Sequence, residues 1–193
     1  DHFNTNVLPL LTPTTLDPAH PFPFFHNQGK GMILELSNAS EKELHSVILL
    51  PENLGRFVKL PGEGLRFILV EAVIEAFMAK IYPKHKLKSS SVFSILRDSE
   101  IEIDDEANDL INEFETALRA RKRGSVVLLS LNSGAPKSIR KVLCRAMDID
   151  ESKLFDMNGP VAVNNFAELI KFMPKRLLYR TFNPRFPQRI RDF

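Results

Sequence analysis

Short apolar runs, separated by turn-forming residues, recur along most of the chain and indicate β-strands. Residues 31–37 and 46–50 are rich in leucine and β-branched residues, and the turn-forming stretch 38–40 lies between them. Residues 56–60 alternate in polarity and stop at a Pro-Gly pair, a strong turn signal. The pattern predicts strands at residues 31–37, 46–50, 56–60, 66–69, 90–97, 125–131 and 155–157.

Four segments instead repeat their apolar residues every three or four positions, which predicts helices at residues 70–82, 104–123, 136–147 and 164–172. The segment 104–123 has the clearest pattern. Acidic residues fill its first turn, basic residues fill its last turn, and Gly124 follows as a stop. The order of elements favours an α+β fold, a single compact domain with a mixed sheet and helices packed mainly on one side. A doubly wound α/β sheet is the alternative.

A segment dense in proline and phenylalanine, residues 12–24, precedes these elements. Four of its thirteen residues are proline, so residues 20–24 can be neither a helix nor a central strand. Three rings, Phe22, Phe24 and Phe25, are too apolar to be left together in water. They either cover the core of their own domain or meet a neighbouring domain or subunit, which makes them interface candidates.

These segments divide the chain into three predicted parts. Residues 1–30 are an extended strap of the same domain, residues 31–175 are its core, and residues 176–193 are a basic, proline-containing linker. The tail from residue 171 onwards carries seven basic residues against one acid. Such a tail is either a linker on an acidic neighbour or a strip that faces phosphate.

Composition narrows the functional classes. The net charge of +2, from 26 basic and 24 acidic residues, argues against a dedicated nucleic-acid-binding protein. The single cysteine, Cys144, allows no disulfide within the chain, and there is no apolar run long enough for a transmembrane segment. We therefore expect a soluble, cytoplasmic protein.

Motifs for catalysis or metal binding are missing from the sequence. The five histidines are scattered, and no HExxH, CxxC, GxSxG or phosphate-binding glycine loop occurs. The acids between residues 98 and 109 suggest a calcium loop, but Ile103 stands where such a loop needs glycine. We therefore predict no catalytic residue and no metal site in this chain.

One basic cluster has two interpretations. It ends the predicted helix 104–123, where cations complement the helix dipole, and guanidinium groups also suit phosphate oxygens. The phosphate-contact candidates are Arg119, Arg121, Lys122 and Arg123.

Several strings in the sequence resemble one known family. The strings TP, LDP and HPFPF between residues 12 and 24 are similar to the LTPLAxDPxHPFPF opening of the middle, or head, domain of bacterial polyphosphate kinases. Residues 97–104 resemble that family's RDADLEIDE segment, residues 121–124 its RRRxG helix end, and residues 158–160 its xGP turn. Thr14-Thr15 and Asn183 depart from the pattern. The resemblance spans nearly the whole chain.

The resemblance implies a function for the parent protein rather than for this chain. Such enzymes reversibly transfer the terminal phosphate of ATP to polyphosphate, with magnesium, through a phosphohistidine on C-terminal domains that this sequence lacks. None of the five histidines matches that motif, so the fragment is expected to be inactive and to hold no cofactor. Its implied partners are its own N-terminal and catalytic domains and further copies of the full-length protein, with a location in the cytoplasm and peripheral to the inner membrane.

The leading hypothesis is therefore a scaffold or dimerisation domain. The alternative is a polyanion-binding module that holds polyphosphate with the basic cluster and the tail.

Overall fold

The computed structural model describes residues 1–17, 19–98, 124–180 and 182. The strands are β1 (Thr12–Leu16), β2 (Lys30–Ser37), β3 (Glu43–Leu50), β4 (Phe57–Lys59), β5 (Phe67–Leu69), β6 (Lys86–Arg97), β7 (Val126–Asn132) and β8 (Leu154–Met157). The α-helices are α1 (Val70–Ala76), α2 (Met78–Ile81) and α3 (Lys137–Met147). A π-helical turn covers Phe3–Val7, and 3-10 turns cover Leu8–Leu10, Glu151–Lys153, Val163–Phe172 and Lys175–Leu177.

Six of these strands form one sheet in the order β1-β3-β2-β6-β7-β8. Neighbouring strands are antiparallel except β7 and β8, which are parallel and are joined through α3. The strands β4 and β5 pair as a separate two-stranded ribbon. The mixed sheet with a few helices confirms the predicted α+β class.

The central strands are apolar on both sides because each face of the sheet is covered. On the first face, alternate residues of β2 and β3 pack against the N-terminal turns and against α1 and α2. On the second face, β2, β6 and β7 pack against α3 and Phe25. Among the described residues, most helical elements thus lie on the first face, and α3 covers the second.

All seven predicted strands are present, but some of the neighbouring elements differ. The helix predicted at 70–82 is interrupted at Phe77, whose backbone angles (φ −107°, ψ 19°) are not helical. Residues 163–172 form successive 3-10 turns rather than an α-helix. The predicted helix 104–123 lies outside the described residues.

Two N-terminal elements were not predicted. Residues 3–10 form helical turns, and residues 12–16 form β1 although Pro13 lacks an N–H group. A proline is tolerated here because β1 is an edge strand that pairs only with β3 in the described sheet. The hydroxyl of Ser46 further fixes β1 by donating to the carbonyl oxygen of Thr14 at 2.8 Å.

Arg56, immediately before β4, is the largest of the fully buried side chains, with 1% of its surface exposed. Its Nε and Nη2 atoms donate to Oε1 of Glu71 in the first turn of α1, at 2.8 and 2.7 Å. Its Nη1 atom donates to the carbonyl oxygen of Ala162 at 2.6 Å. A buried guanidinium is tolerated only with such partners, because an unpaired charge in the interior is very costly.

The same cluster holds the C-terminal segment Val163–Phe172 on the domain. The backbone N–H of Arg56 donates to Oε2 of Glu168 at 2.9 Å, and Nζ of the buried Lys30 donates to Oδ1 of Asn165 at 3.0 Å. Ala162, which begins the segment, has a left-handed backbone (φ 53°) that costs a non-glycine residue about 1–2 kcal/mol. Its carbonyl bond to Arg56 offsets that strain. We call Arg56, Glu71, Lys30, Glu168 and the carbonyl of Ala162 the Arg56 cluster.

Aromatic rings reinforce this attachment. Phe166 meets Phe57 of β4 edge to face with ring centroids 4.9 Å apart, and Phe172 lies 5.0 Å from Phe67 of β5. The ribbon β4–β5 is thus packed under the segment, and aromatic pairs of this kind add stability beyond the area they bury.

We predict that Arg56→Met lowers the free energy of unfolding by about 3–5 kcal/mol, because it leaves the Glu71 carboxylate buried and unpaired. Glu71→Met should lower the free energy of unfolding by about as much, since it leaves the guanidinium of Arg56 buried without its carboxylate partner. The double variant should recover most of the loss, because an apolar pair can replace a buried ion pair. Urea unfolding followed by circular dichroism measures all three.

Arg66→Gln is the matched control, since Arg66 is exposed and donates only to the carbonyl oxygen of Pro61 among the described residues. Additive losses in the double variant would contradict the pairing.

Candidate docking surface

The proline–phenylalanine segment places its three rings in different environments. Phe25 is fully buried in the core of the second face, with its ring centroid 4.9 Å from that of Phe93. Phe22 is half-buried, 5.7 Å from Phe25 and 6.1 Å from Phe93. These two rings fill the domain's own core.

The ring of Phe25 lies directly on β2, where only glycine leaves room for it. A Cβ atom at Gly31 would be 2.7 Å from Cε1 of Phe25 and 3.0 Å from the carbonyl oxygen of Ile48. This close contact sets the distance between the proline–phenylalanine segment and strand β2.

Phe24 points away from the core and leaves 47% of its surface exposed. One face of its ring is covered by the guanidinium of Arg97, 4.7 Å from the ring centroid, and His26 meets its edge. Arg97 is itself fixed, because its Nε and Nη1 atoms donate to the carbonyl oxygens of Phe25 and Gly124 at 2.8 and 2.7 Å. Phe24 is therefore a rigid, half-exposed ring.

Partial burial lowers the pKa of Arg97 from its ordinary value, but an arginine stays charged throughout the physiological range. The cation–π contact with Phe24 therefore persists at any pH where the fold is stable. Of the three interface candidates, Phe24 alone offers a partner substantial ring surface.

A second exposed apolar region follows the Arg56 cluster. Val163 and Ile170 expose more than half of their surface, Tyr179 is fully exposed, and Phe182 is 84% exposed. Basic residues alternate with these apolar ones: Lys171, Lys175, Arg176 and Arg180. Large exposed apolar side chains mark interaction sites more often than isolated surface residues do.

The phosphate-contact candidates Arg119, Arg121, Lys122 and Arg123 lie outside the described residues, as does the tail 183–193. Their contact with phosphate stays a prediction.

Three histidines of the described residues have close side-chain neighbours. Nδ1 of His20 lies 3.0 Å from the carboxylate of Asp17, Nε2 of His45 lies 3.9 Å from Glu35, and His85 packs on Tyr82. Within residues 1–17, 19–98, 124–180 and 182, no group of three or more histidine, cysteine or acidic side chains could hold a metal ion.

Cys144 has the environment of a packing residue. It is buried on α3, and desolvation raises the pKa of its thiol, which disfavours the nucleophilic thiolate. None of the helices in the described part of the chain has the length and hydropathy that a membrane crossing requires.

Sequence patterns missed the partners of Arg56 and Arg97. Both arginines stand at the end of a predicted strand, where a charged residue is expected at the surface. Their partners Glu71, Ala162 and Phe24 are remote in the chain or belong to the segment without periodicity, so no local signal could have paired them.

Comparison with known proteins shows to which family the chain belongs. Residues 1–169 match the family model described as the polyphosphate kinase middle domain. A polyphosphate kinase of Erythrobacter litoralis is 34% identical over 98% of this chain and 26% of its own length. That of Lactiplantibacillus plantarum is 28% identical over 100% of this chain and 27% of its own length.

A solved structure agrees on the fold. The crystal structure of polyphosphate kinase from Porphyromonas gingivalis superposes with a TM-score of 0.67 over 95% of this chain and 26% of that one, at 19% identity. The chain thus spans about a quarter of the length of the relatives it matches. It belongs to the polyphosphate kinase family, of which it represents the middle domain.

Proposed function

We propose that this chain is the scaffold and dimerisation domain of a polyphosphate kinase that reversibly transfers the terminal phosphate of ATP to polyphosphate. The observation that carries the proposal is the match of residues 1–169 to the family's middle domain in a chain that spans only a quarter of its relatives. The phosphohistidine, ATP and magnesium belong, on this proposal, to other domains of the intact cytoplasmic enzyme.

The geometry supports a structural role. The buried charges of Arg56 and Glu71 pair with each other, and the bond from Arg56 to Ala162 holds two parts of the domain together. A buried ion pair of this kind stabilises a fold and offers no open position to a substrate.

Two exposed regions would serve the two kinds of partner. The exposed apolar and basic residues on the anchored segment Val163–Phe172 and directly after it would meet the catalytic domains of the same polypeptide. The fixed ring of Phe24 would meet a second copy, because rigid aromatic side chains lose little entropy on binding and dominate interface energies.

We expect the 193-residue chain to produce no polyphosphate from ATP and Mg²⁺. The reason is that its described histidines lack an arrangement for phosphoryl transfer. The assay follows ATP consumption and polyphosphate formation against the same mixture without protein. Turnover above that background, retained after a second purification step, would contradict the scaffold assignment.

A second prediction concerns Phe24. Phe24→Ala should weaken self-association of the chain at least tenfold, as expected for an aromatic hot spot. It should hardly change the unfolding midpoint, because about half of the ring is already in water. Sedimentation equilibrium measures the dissociation constant.

Phe155→Ala is the matched control, since Phe155 is a ring of similar exposure (54%) on β8, two strands away from β6, whose Arg97 covers Phe24. A wild-type chain that stays monomeric at high concentration, or equal effects of the two substitutions, would remove Phe24 from the dimer contact.

A further inference from the structure

A cavity of about 630 Å³ lies on the second face of the sheet, between the start of the proline–phenylalanine segment and α3. Its apolar lining comes from Leu16, Phe22, Val142 and Ala146. Asp17, His20, Pro21, His45 and Arg145 complete it. The volume lies within the range of sites for small organic ligands, roughly 300–1,000 Å³.

The carboxylate of Asp17, at the edge of this cavity, is hydrogen-bonded within its own turn. Oδ1 of Asp17 accepts hydrogen bonds from the backbone N–H groups of Ala19 and His20, each at 2.8 Å, and both of its oxygens lie 3.0 Å from Nδ1 of His20. The hydrogen bond from the His20 ring, followed by those from the backbone, lowers the pKa of the Asp17 carboxyl. The carboxylate of Asp17 therefore already accepts hydrogen bonds from Ala19 and His20 of its own turn.

The positively charged group at this cavity is the guanidinium of Arg145. The side chain of Arg145, in the last turn of α3, is exposed and makes no hydrogen bond or ion pair with any residue in the described part of the chain. The other arginine of α3, Arg140, pairs with Asp156 and the carbonyl oxygen of Ala135. Among the described residues that line this cavity, Arg145 is thus the cation whose side chain has no protein partner.

The two histidines contribute differently. Nε2 of His45 is buried 3.9 Å from Oε1 of Glu35, so this atom is inaccessible to a ligand and only the ring forms part of the wall. His20 is two-thirds exposed and holds Asp17 through Nδ1, which leaves Nε2 for a ligand. The polar atoms available are therefore the Arg145 guanidinium and Nε2 of His20.

We propose that this cavity binds a small organic anion, with its apolar body on Phe22 and Val142 and its anionic group on Arg145. The apolar lining excludes a bare inorganic ion as the best ligand, because such an ion would leave that surface in water. A neutral ligand with the same apolar body should bind more weakly than the anion, because it gains no charge-assisted hydrogen bond from the guanidinium of Arg145. This site is separate from the phosphoryl-transfer chemistry of the proposed parent enzyme, so its failure would leave the scaffold assignment intact.

The probes are 1-naphthyl phosphate, 1-naphthol and inorganic phosphate, titrated into the 193-residue chain with backbone amide NMR as readout. We expect 1-naphthyl phosphate to bind tightest and to shift the amides of His20, Phe22 and residues 142–146. Arg145→Gln should weaken it roughly tenfold, the loss of one charged hydrogen bond, while leaving 1-naphthol unchanged. Ala146→Trp should abolish binding of both by filling the cavity.

Lys141→Gln, an exposed cation on the same helix, is the matched control and should leave all three affinities unchanged. Thermal unfolding of each variant shows whether it remains folded. Shifts that survive Ala146→Trp, an equal loss with Lys141→Gln, or no saturation by 1-naphthyl phosphate would each overturn the proposal. Preferential binding of 1-naphthol would do so as well, since it would make the site purely apolar.

Discussion

The buried guanidinium of Arg56 is the constraint on which the arrangement of this domain depends. It joins Ala162 to the first turn of α1 and the start of β4, which are themselves connected by a hydrogen bond from the backbone N–H of Val70 to the carbonyl oxygen of Arg56 at 2.8 Å. Oε2 of Glu71 finds no hydrogen-bond partner among the described residues, so the carboxylate depends on Arg56 for compensation. Burial also lowers the pKa of Lys30, and its bond to Asn165 helps keep the ammonium in place. Such a charged cluster favours one arrangement of these segments, because other arrangements would leave a buried charge without its partner.

The two ends of the described chain are attached by opposite means. The proline–phenylalanine segment is held by apolar packing of Phe25 against Gly31 and Phe93. The C-terminal segment is held by charge and hydrogen bonds, with aromatic pairs around them. The proposed scaffold role requires both ends to be held firmly, because an end that moves freely cannot keep a neighbouring domain in a fixed position.

How much of this was predictable follows from the range of each interaction. Strands β2 to β8 and helix α3 were predicted because their apolar periods are local, and Pro136 marks the start of α3 in the sequence itself. The break at Phe77 and the 3-10 turns at Val163–Phe172 were missed, because the apolar pattern alone does not separate these from an unbroken α-helix. Burial of Phe25 could be anticipated, whereas the contact between Phe24 and Arg97 spans 73 residues and leaves no local trace.

Amide hydrogen exchange of the chain and its Arg56→Met variant tests the central claim most directly. If the Arg56 cluster fastens the C-terminal segment, the amides of Val163–Phe172 lose their protection in the variant under native conditions, while those of β2, β3 and β6 stay protected and lose only what the lower free energy of global unfolding removes. Protection of the segment that stays as high as in the wild type would show that aromatic packing alone holds it. That result would contradict the account.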